Sequence, residues 1–256
     1  MAFSDEIKRH FTEGGKNYIP SLSIDCVILG FHEGELRVLL LYSKLWDKWA
    51  LPGGFIRRDE HLDEAALRIL HVRTGLKNIF LKEFGIFSDP NRSTKAIYEP
   101  VLKENGLQIE NSWMFDRFVT VGYSALVDFT KAKPSPDIFS DSCEWHSLQQ
   151  LPSMILDHAA IVEQALLQLR QQLNYQPIGY NLLPQKFTMP ELQKLYETIL
   201  GKQLDRRNFQ RKILNTGILR KLDERKKGVN HKAPTLYSFN MRTYNKVLQA
   251  GMGFEL

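Results

Sequence analysis

The stretch LPGGFIRRDEHLDEAALRILHVRTGL, Leu51 to Leu76, constrains this 256-residue chain more than any other. Two consecutive glycines, Gly53 and Gly54, supply backbone freedom and predict a tight strand-to-helix loop. Leu62, Ala65, Ala66, Ile69 and Leu70 then recur at helical spacing, after an acidic start at Asp59, Glu60, Asp63 and Glu64. Gly75 stands where a left-handed helix cap belongs. The prediction is a glycine loop feeding a helix with one apolar face.

Runs of β-forming residues surround that helix. Ser21–Gly30 and Leu36–Tyr42 are expected as strands joined at His32-Glu33-Gly34-Glu35, with further strands at Ile79–Phe87, Phe118–Phe129 (a central one) and Ser142–Leu148. Residues 1–19 read as a short helix and loop broken at Gly14-Gly15, and residues 93–115 as a partly ordered insertion. Strands interleaved with helices predict an α+β layer fold. An amphipathic helix follows at Asp157–Leu173, with Asp157 placed as its N-cap, and NYQPIGYNLLP then breaks the periodicity. The boundary is therefore set at 174, giving domains 1–174 and 175–256.

Charge divides the chain at the same place. Residues 1–150 carry 18 Lys/Arg against 21 Asp/Glu, whereas residues 175–256 carry 15 against 6. A basic module on a mildly acidic one suits a phosphate-rich partner. The charged N-terminus does not read as a signal peptide, and no run of apolar residues is long enough to span a membrane. Cys26 and Cys143 lie far apart without CxxC spacing, which argues against a metal site or disulfide framework and for a reducing, cytoplasmic setting. No cofactor and no resident metal are expected.

The basic module reads as a winged helix-turn-helix. Thr188 and Glu191 form a capping box with Pro190 in the first turn, and Leu192, Leu195, Tyr196, Ile199 and Leu200 supply a buried face. Asp205 caps a second helix, Arg206–Leu214, anchored by Phe209 and Ile213. Its other positions, Arg206, Arg207, Asn208, Gln210, Arg211 and Lys212, are the side-chain types that read base edges and phosphates. Ile218–Arg225 and TLYSFN flank a loop with Lys226, Lys227, His231 and Lys232, the expected wing. Sparse aromatics around this helix argue against a non-catalytic RNA-binding module.

The Leu51–Leu76 stretch resembles the Nudix box. Gly54, Glu60, Arg68, Leu70, Gly75 and Leu76 fall in register, while Ile69, Val72 and Arg73 stand where the box has its metal-binding and catalytic glutamates. With FGIFSDPNR, RFVTVGYSALV, the linker helix and LQKLYETILGKQLDRRNFQRKIL, the chain resembles the Nudix-related transcriptional regulators. That resemblance implies an N-terminal Nudix-like α/β/α sandwich used as a sensor, a C-terminal winged helix, and a homodimer on a double-stranded DNA operator. It also implies a small-molecule effector, either a pentose sugar or an ADP-ribose-like nucleotide, with a lean towards the sugar, and control of sugar catabolism or of NAD and nucleotide metabolism. Effector candidates are Trp49 and Arg57 near the glycines, Glu60, and Asp89 and Arg92 on the loop after a strand; Trp46 is a further stacking candidate. Loss of the glutamates predicts no hydrolysis. The alternative is a Nudix hydrolase of an ADP-ribose-like substrate, with a metal site rebuilt from Glu60, Asp63 and Glu64.

Overall fold

The computed structural model describes residues 3–77, 79–129, 135, 140–173, 176–226 and 233–250. Helix α1 (Phe3–Glu13) and a 3-10 turn at Gly14–Lys16 lead into the 15-residue strand β1 (Tyr18–His32). The chain reverses at Glu33-Gly34, both left-handed with φ of 51° and 81°, into β2 (Glu35–Ser43). This is the expected hairpin, and two consecutive positive φ values are what a tight primed turn demands. β3 (Lys48–Ala50), β4 (Gly53–Arg57), helix α2 (Leu62–Thr74) and β5 (Lys82–Phe87) follow. Then come α3 (Lys95–Glu104), β6 (Val119–Val127), β7 (Ser140–Ser147) and α4 (His158–Gln172).

Among the described residues these strands form a seven-stranded sheet ordered β3-β2-β1-β6-β5, with β4 also paired to β1 and β7 to β2. Ile24, Cys26–Leu29 and Val38–Leu41 are buried without alternation, because both faces of the sheet are covered. Ala65, Ala66, Ile69 and Leu70 form the buried face of α2, as their spacing predicts.

Two expectations change. Gly53 and Gly54 are not a loop but the first residues of β4, opposite Asp25 and Ile24 of β1. Glycine serves close approach there: a Cβ on Gly53 would collide with the Asp25 carboxylate, and one on Gly54 would sit 3.2 Å from Ile69 Cγ1. Residues 93–115 include a regular helix, α3 at Lys95–Glu104, despite Pro100 inside it. Tyr98 and Leu102 of α3 pack with Ile7 and Phe11 of α1, Met114 and Phe118 in one cluster.

The basic module holds β8 (Phe187–Thr188), α5 (Met189–Leu200), α6 (Arg206–Asn215), β9 (Leu219–Arg225), β10 (Thr235–Phe239) and α7 (Met241–Ala250). Its strands order β8-β10-β9, antiparallel throughout. The capping box is present, with Glu191 Oε2 accepting from Thr188 N at 2.7 Å. Gly201 closes α5 in the left-handed region at φ 68°, and Glu197 Oε1 accepts from Leu204 N (2.9 Å) across the turn. Asp205 Oδ1 accepts from Asn208 N at 2.8 Å, the cap expected for α6. The edge-on contact of Tyr196 and Phe209, centroids 5.4 Å apart, joins the buried faces of α5 and α6. Helix α7 has no counterpart in the sequence reading; Tyr244 Oη donates to Pro177 O (2.7 Å) and fixes it.

The chain packs as two compact units, residues 1–29, 38–125 and 132–165, and residues 30–37, 126–131 and 166–256. The division falls within α4, so that one helix begins in the first unit and ends in the second. Among the described residues no helix is long and apolar enough to cross a membrane.

Candidate functional site: effector pocket and nucleic-acid interface

Glu60, Asp63 and Glu64, around the start of α2, each have a structural partner. Glu60 grips Arg68 through two contacts, from Nε at 2.8 Å and Nη2 at 2.5 Å, and Arg68 donates onward to Phe55 O at 2.8 Å. Glu60 Oε1 also accepts from Arg57 N at 2.7 Å. The Arg68 hydrogen bond, above all, holds the Glu60 carboxyl below the usual range. Asp63 accepts from Tyr123 Oη at 2.6 Å, and burial followed by this bond pushes the Tyr123 phenol up. Glu64 Oε2 accepts from His61 N at 3.0 Å and caps the helix, rather than forming the surface pair with Arg68 that spacing suggests. Gly75 closes the helix at φ 73°, its N–H on His71 O at 2.8 Å.

These residues do not fit a magnesium ion. Such an ion needs several converging oxygen ligands. Ile69 is buried against Gly54, Val72 is an exposed hydrocarbon, and Arg73 is a cation. Among the described residues no three of His, Cys, Asp and Glu are grouped to hold a metal.

What α2 does line is a pocket of about 290 Å³ in the first unit. Its aromatic wall includes Tyr18, Trp46, Phe55, Tyr98 and Phe118, and its polar groups include Asp25, Arg68, Arg73, Arg92 and His158. Helices α1 and α3 supply part of that wall, through Ile7, His10, Phe11 and Tyr98. Burial, then the Arg73 charge, lowers the His10 pKa to about 4, so this imidazole is neutral near pH 7.

A buried ionic cluster closes one side. Arg92 Nε and Nη2 donate to the two Asp157 oxygens, both at 2.8 Å, and Nη2 lies 3.6 Å from Asp25 Oδ2. Burial pulls the Arg92 pKa down, and the carboxylates of Asp157 and Asp25 more than offset it. His158 Nδ1 accepts from Leu51 N at 2.9 Å, which places the ring proton on Nε2, 3.6 Å from Asp25 Oδ1. Burial lowers the His158 pKa, consistent with that neutral tautomer. Asp157 holds the N-cap position of α4, its carbonyl accepting from Ile161 N at 3.1 Å, while its carboxylate is engaged by Arg92; His158 is a core residue, 5% exposed. Leu156, just ahead of them, lines the pocket with a left-handed φ of 45°.

Of the five effector candidates, Arg92 lines the pocket and the other four do not. Trp49 packs edge-on to His146 (4.0 Å between centroids) and Tyr42; the Arg57 side chain is exposed. Glu60 is held by Arg68, and Asp89 Oδ1 accepts from Asn91 N (2.7 Å) to set its own turn. Tyr18, Tyr98, Asp25 and His158 were missed. They reach the pocket from three separate elements, β1, α3 and α4, and only the apolar run around Asp25 carried a signal, a lone charge among buried residues.

The second unit presents a different surface. Phe209 and Ile213 face its core, and Arg207 and Arg211 project from the opposite side of α6, both exposed. Arg206 is exposed too, while Asn208, Gln210 and Lys212 are half-buried, with Asn208 Oδ1 accepting from Arg211 Nη2 at 2.9 Å. Lys226 pairs with the capping-box Glu191 at 2.6 Å. The wing candidates Lys227, His231 and Lys232 lie outside the described residues.

Comparison with known proteins identifies both domains. Residues 20–168 match the NUDIX domain and residues 179–239 the NrtR DNA-binding winged helix domain. The "ADPR responsive transcriptional repressor NtrR" of Acinetobacter baylyi is 30% identical over 234 residues, covering 88% of this chain and 84% of that protein. Shewanella oneidensis NrtR, crystallised with a 27mer DNA, superposes with a TM-score of 0.66 at 25% identity, covering 88% of this chain and 95% of that one. A MutT/nudix family protein from Enterococcus faecalis shares the fold, with a TM-score of 0.65 at 21% identity over 87% of each chain. A Nudix unit stripped of its converging carboxylates, joined to a winged helix with outward arginines, thus has a family: the chain belongs to the NrtR-type, Nudix-related, DNA-binding transcriptional regulators.

Proposed function

We propose that this chain is a dimeric transcriptional repressor whose Nudix-like unit senses ADP-ribose without hydrolysing it. The observation that carries the reading is the commitment of the acids on and before α2: Glu60, Asp63 and Glu64 serve the frame, and the box positions that would ligate metal are Ile69, Val72 and Arg73. Arginines for a diphosphate and aromatic rings for an adenine line the same pocket. The curated relative's description as ADPR responsive favours this nucleotide over the pentose effector, and with it genes of NAD or nucleotide metabolism over sugar catabolism. Sensing is assigned to residues 1–174 and DNA contact to residues 175–256. Arg206, Arg207, Asn208, Gln210, Arg211 and Lys212 would enter the major groove, and Lys226, Lys227, His231 and Lys232 would flank it. A two-fold dimer would place its recognition helices about 34 Å apart, on half-sites one DNA turn apart.

The test is a mobility-shift titration with the DNA upstream of the chain's own gene, with and without ADP-ribose, alongside an assay for AMP release in Mg²⁺ or Mn²⁺. Specific binding altered by ADP-ribose, with no AMP formed, is expected. Binding no tighter than to random DNA, or turnover of ADP-ribose, overturns the reading.

A further inference from the structure

A diphosphate entering the pocket brings negative charge that must be matched. In a hydrolytic pocket of this frame a divalent cation supplies the match; here, among the described residues, no set of carboxylates converges to hold one. The lining instead holds three arginines, Arg68, Arg73 and Arg92, against one aspartate, Asp25. Arg68 is bound to Glu60 and to Phe55 O, and Arg92 to Asp157 and Asp25. Arg73 occupies the box position where the glutamate pattern would put an anion. It is half-buried in the last turn of α2, where the helix dipole also favours a cation.

We propose that Arg73 takes the place of the metal, binding the effector's diphosphate directly, so that the sensor works without divalent cations; this rests on the ADP-ribose reading above. A guanidinium presents paired N–H donors that match two phosphate oxygens, and it needs no acidic shell to hold it. The same charge excludes the cation that hydrolysis would require. Its field reaches across the pocket, since Arg73 contributes to the lowered pKa of both His10 and His158. A glutamate-to-arginine change would thus both remove catalysis and restore anion affinity in one step.

The experiment is calorimetric titration of the full chain with ADP-ribose, in EDTA and in excess Mg²⁺, for wild type, R73A, R73Q and R73E. Wild type is expected to bind equally well in both buffers. R73A and R73Q should bind about thirtyfold more weakly in both, the size expected for losing a charge-assisted hydrogen-bonded pair, and R73E more weakly still in EDTA. Melting temperatures separate this from a purely helix-capping role, which would move stability and leave affinity unchanged; if R73A does not fold, R73Q carries the comparison. Wild-type binding that needs Mg²⁺, or R73Q binding as tightly as wild type, overturns the role of Arg73 and leaves ADP-ribose as effector. No ADP-ribose binding in either buffer overturns the effector reading, and this inference with it.

Discussion

Helices α2 and α6 are both charged, and they spend that charge in opposite ways. Glu60, Asp63 and Glu64 at α2 turn inward or along the chain, to Arg68, Tyr123 and a helix N-terminus. On α6, Arg206, Arg207 and Arg211 are exposed, and the inward positions are left to Phe209 and Ile213. A charged helix is therefore a site or a strut according to where its charge is satisfied, which composition alone does not say. In α2 the polar residues hold a frame around a pocket; in α6 an apolar pair holds the frame and the arginines face outward.

That contrast breaks most visibly at Arg92. Its side chain is 3% exposed and lies between half-buried Asp157 and buried Asp25, so R92A leaves both carboxylates without their cation. A loss of roughly 3–5 kcal/mol is expected, read by urea unfolding. R92L combined with D157L should recover part of it; a wild-type midpoint for R92A would show the cluster to be dispensable. On α6 the outcome should invert. R207A and R211A are expected to weaken operator binding by about 1–3 kcal/mol each while leaving the melting temperature within a degree or so, as surface changes do. If either unfolds the winged helix, the division between frame and contact fails.

Smaller effects sharpen the same line. T188A removes the capping-box hydroxyl of α5 and should cost about 1 kcal/mol of stability, with DNA binding intact at saturating protein. K226A removes an exposed pair with Glu191 and should move stability by less than about 1 kcal/mol, yet lower the salt dependence of DNA binding by about one ion. The pH response belongs to the pocket. Because His10 titrates at about 4 in the folded chain rather than at 6.5, the unfolded chain binds the extra proton between those values. Its contribution to stability is complete above pH 6.5 and declines as pH falls towards 4. Thermal melts across that window should slope downward on acidification, less steeply in H10Q; an equal slope would move the effect to His158.

How far each half was legible follows from the range of its interactions. The winged helix is specified locally: the Thr188–Glu191 box spans three residues, the Asp205 cap three, and the Phe209–Ile213 pair four, all of them signals in the sequence. The frame of α2 is nearly as local, with Glu60 and Arg68 eight residues apart. The pocket is not. Arg92 meets Asp157 across 65 residues, and Leu51 meets His158 across 107. No periodicity links such partners. Helix α3 was hidden for another reason: Pro100 and the polar residues around it outweighed Tyr98 and Leu102, whose burial depends on α1. The glycine pair was misread because freedom to turn and room for a neighbour leave the same mark in sequence.

Leu156 carries a further consequence. A leucine at φ 45° sits against its own steric preference, at a cost on the order of 1–2 kcal/mol. It is followed at once by Asp157 and His158, tied to Arg92 and to the Leu51 backbone. The entry to α4 is thus wound against its fastenings, like a latch under tension. Replacing Leu156 with glycine would remove that tension without touching a single polar contact, and would show whether the helix that runs on towards the winged half is merely anchored at this point or cocked.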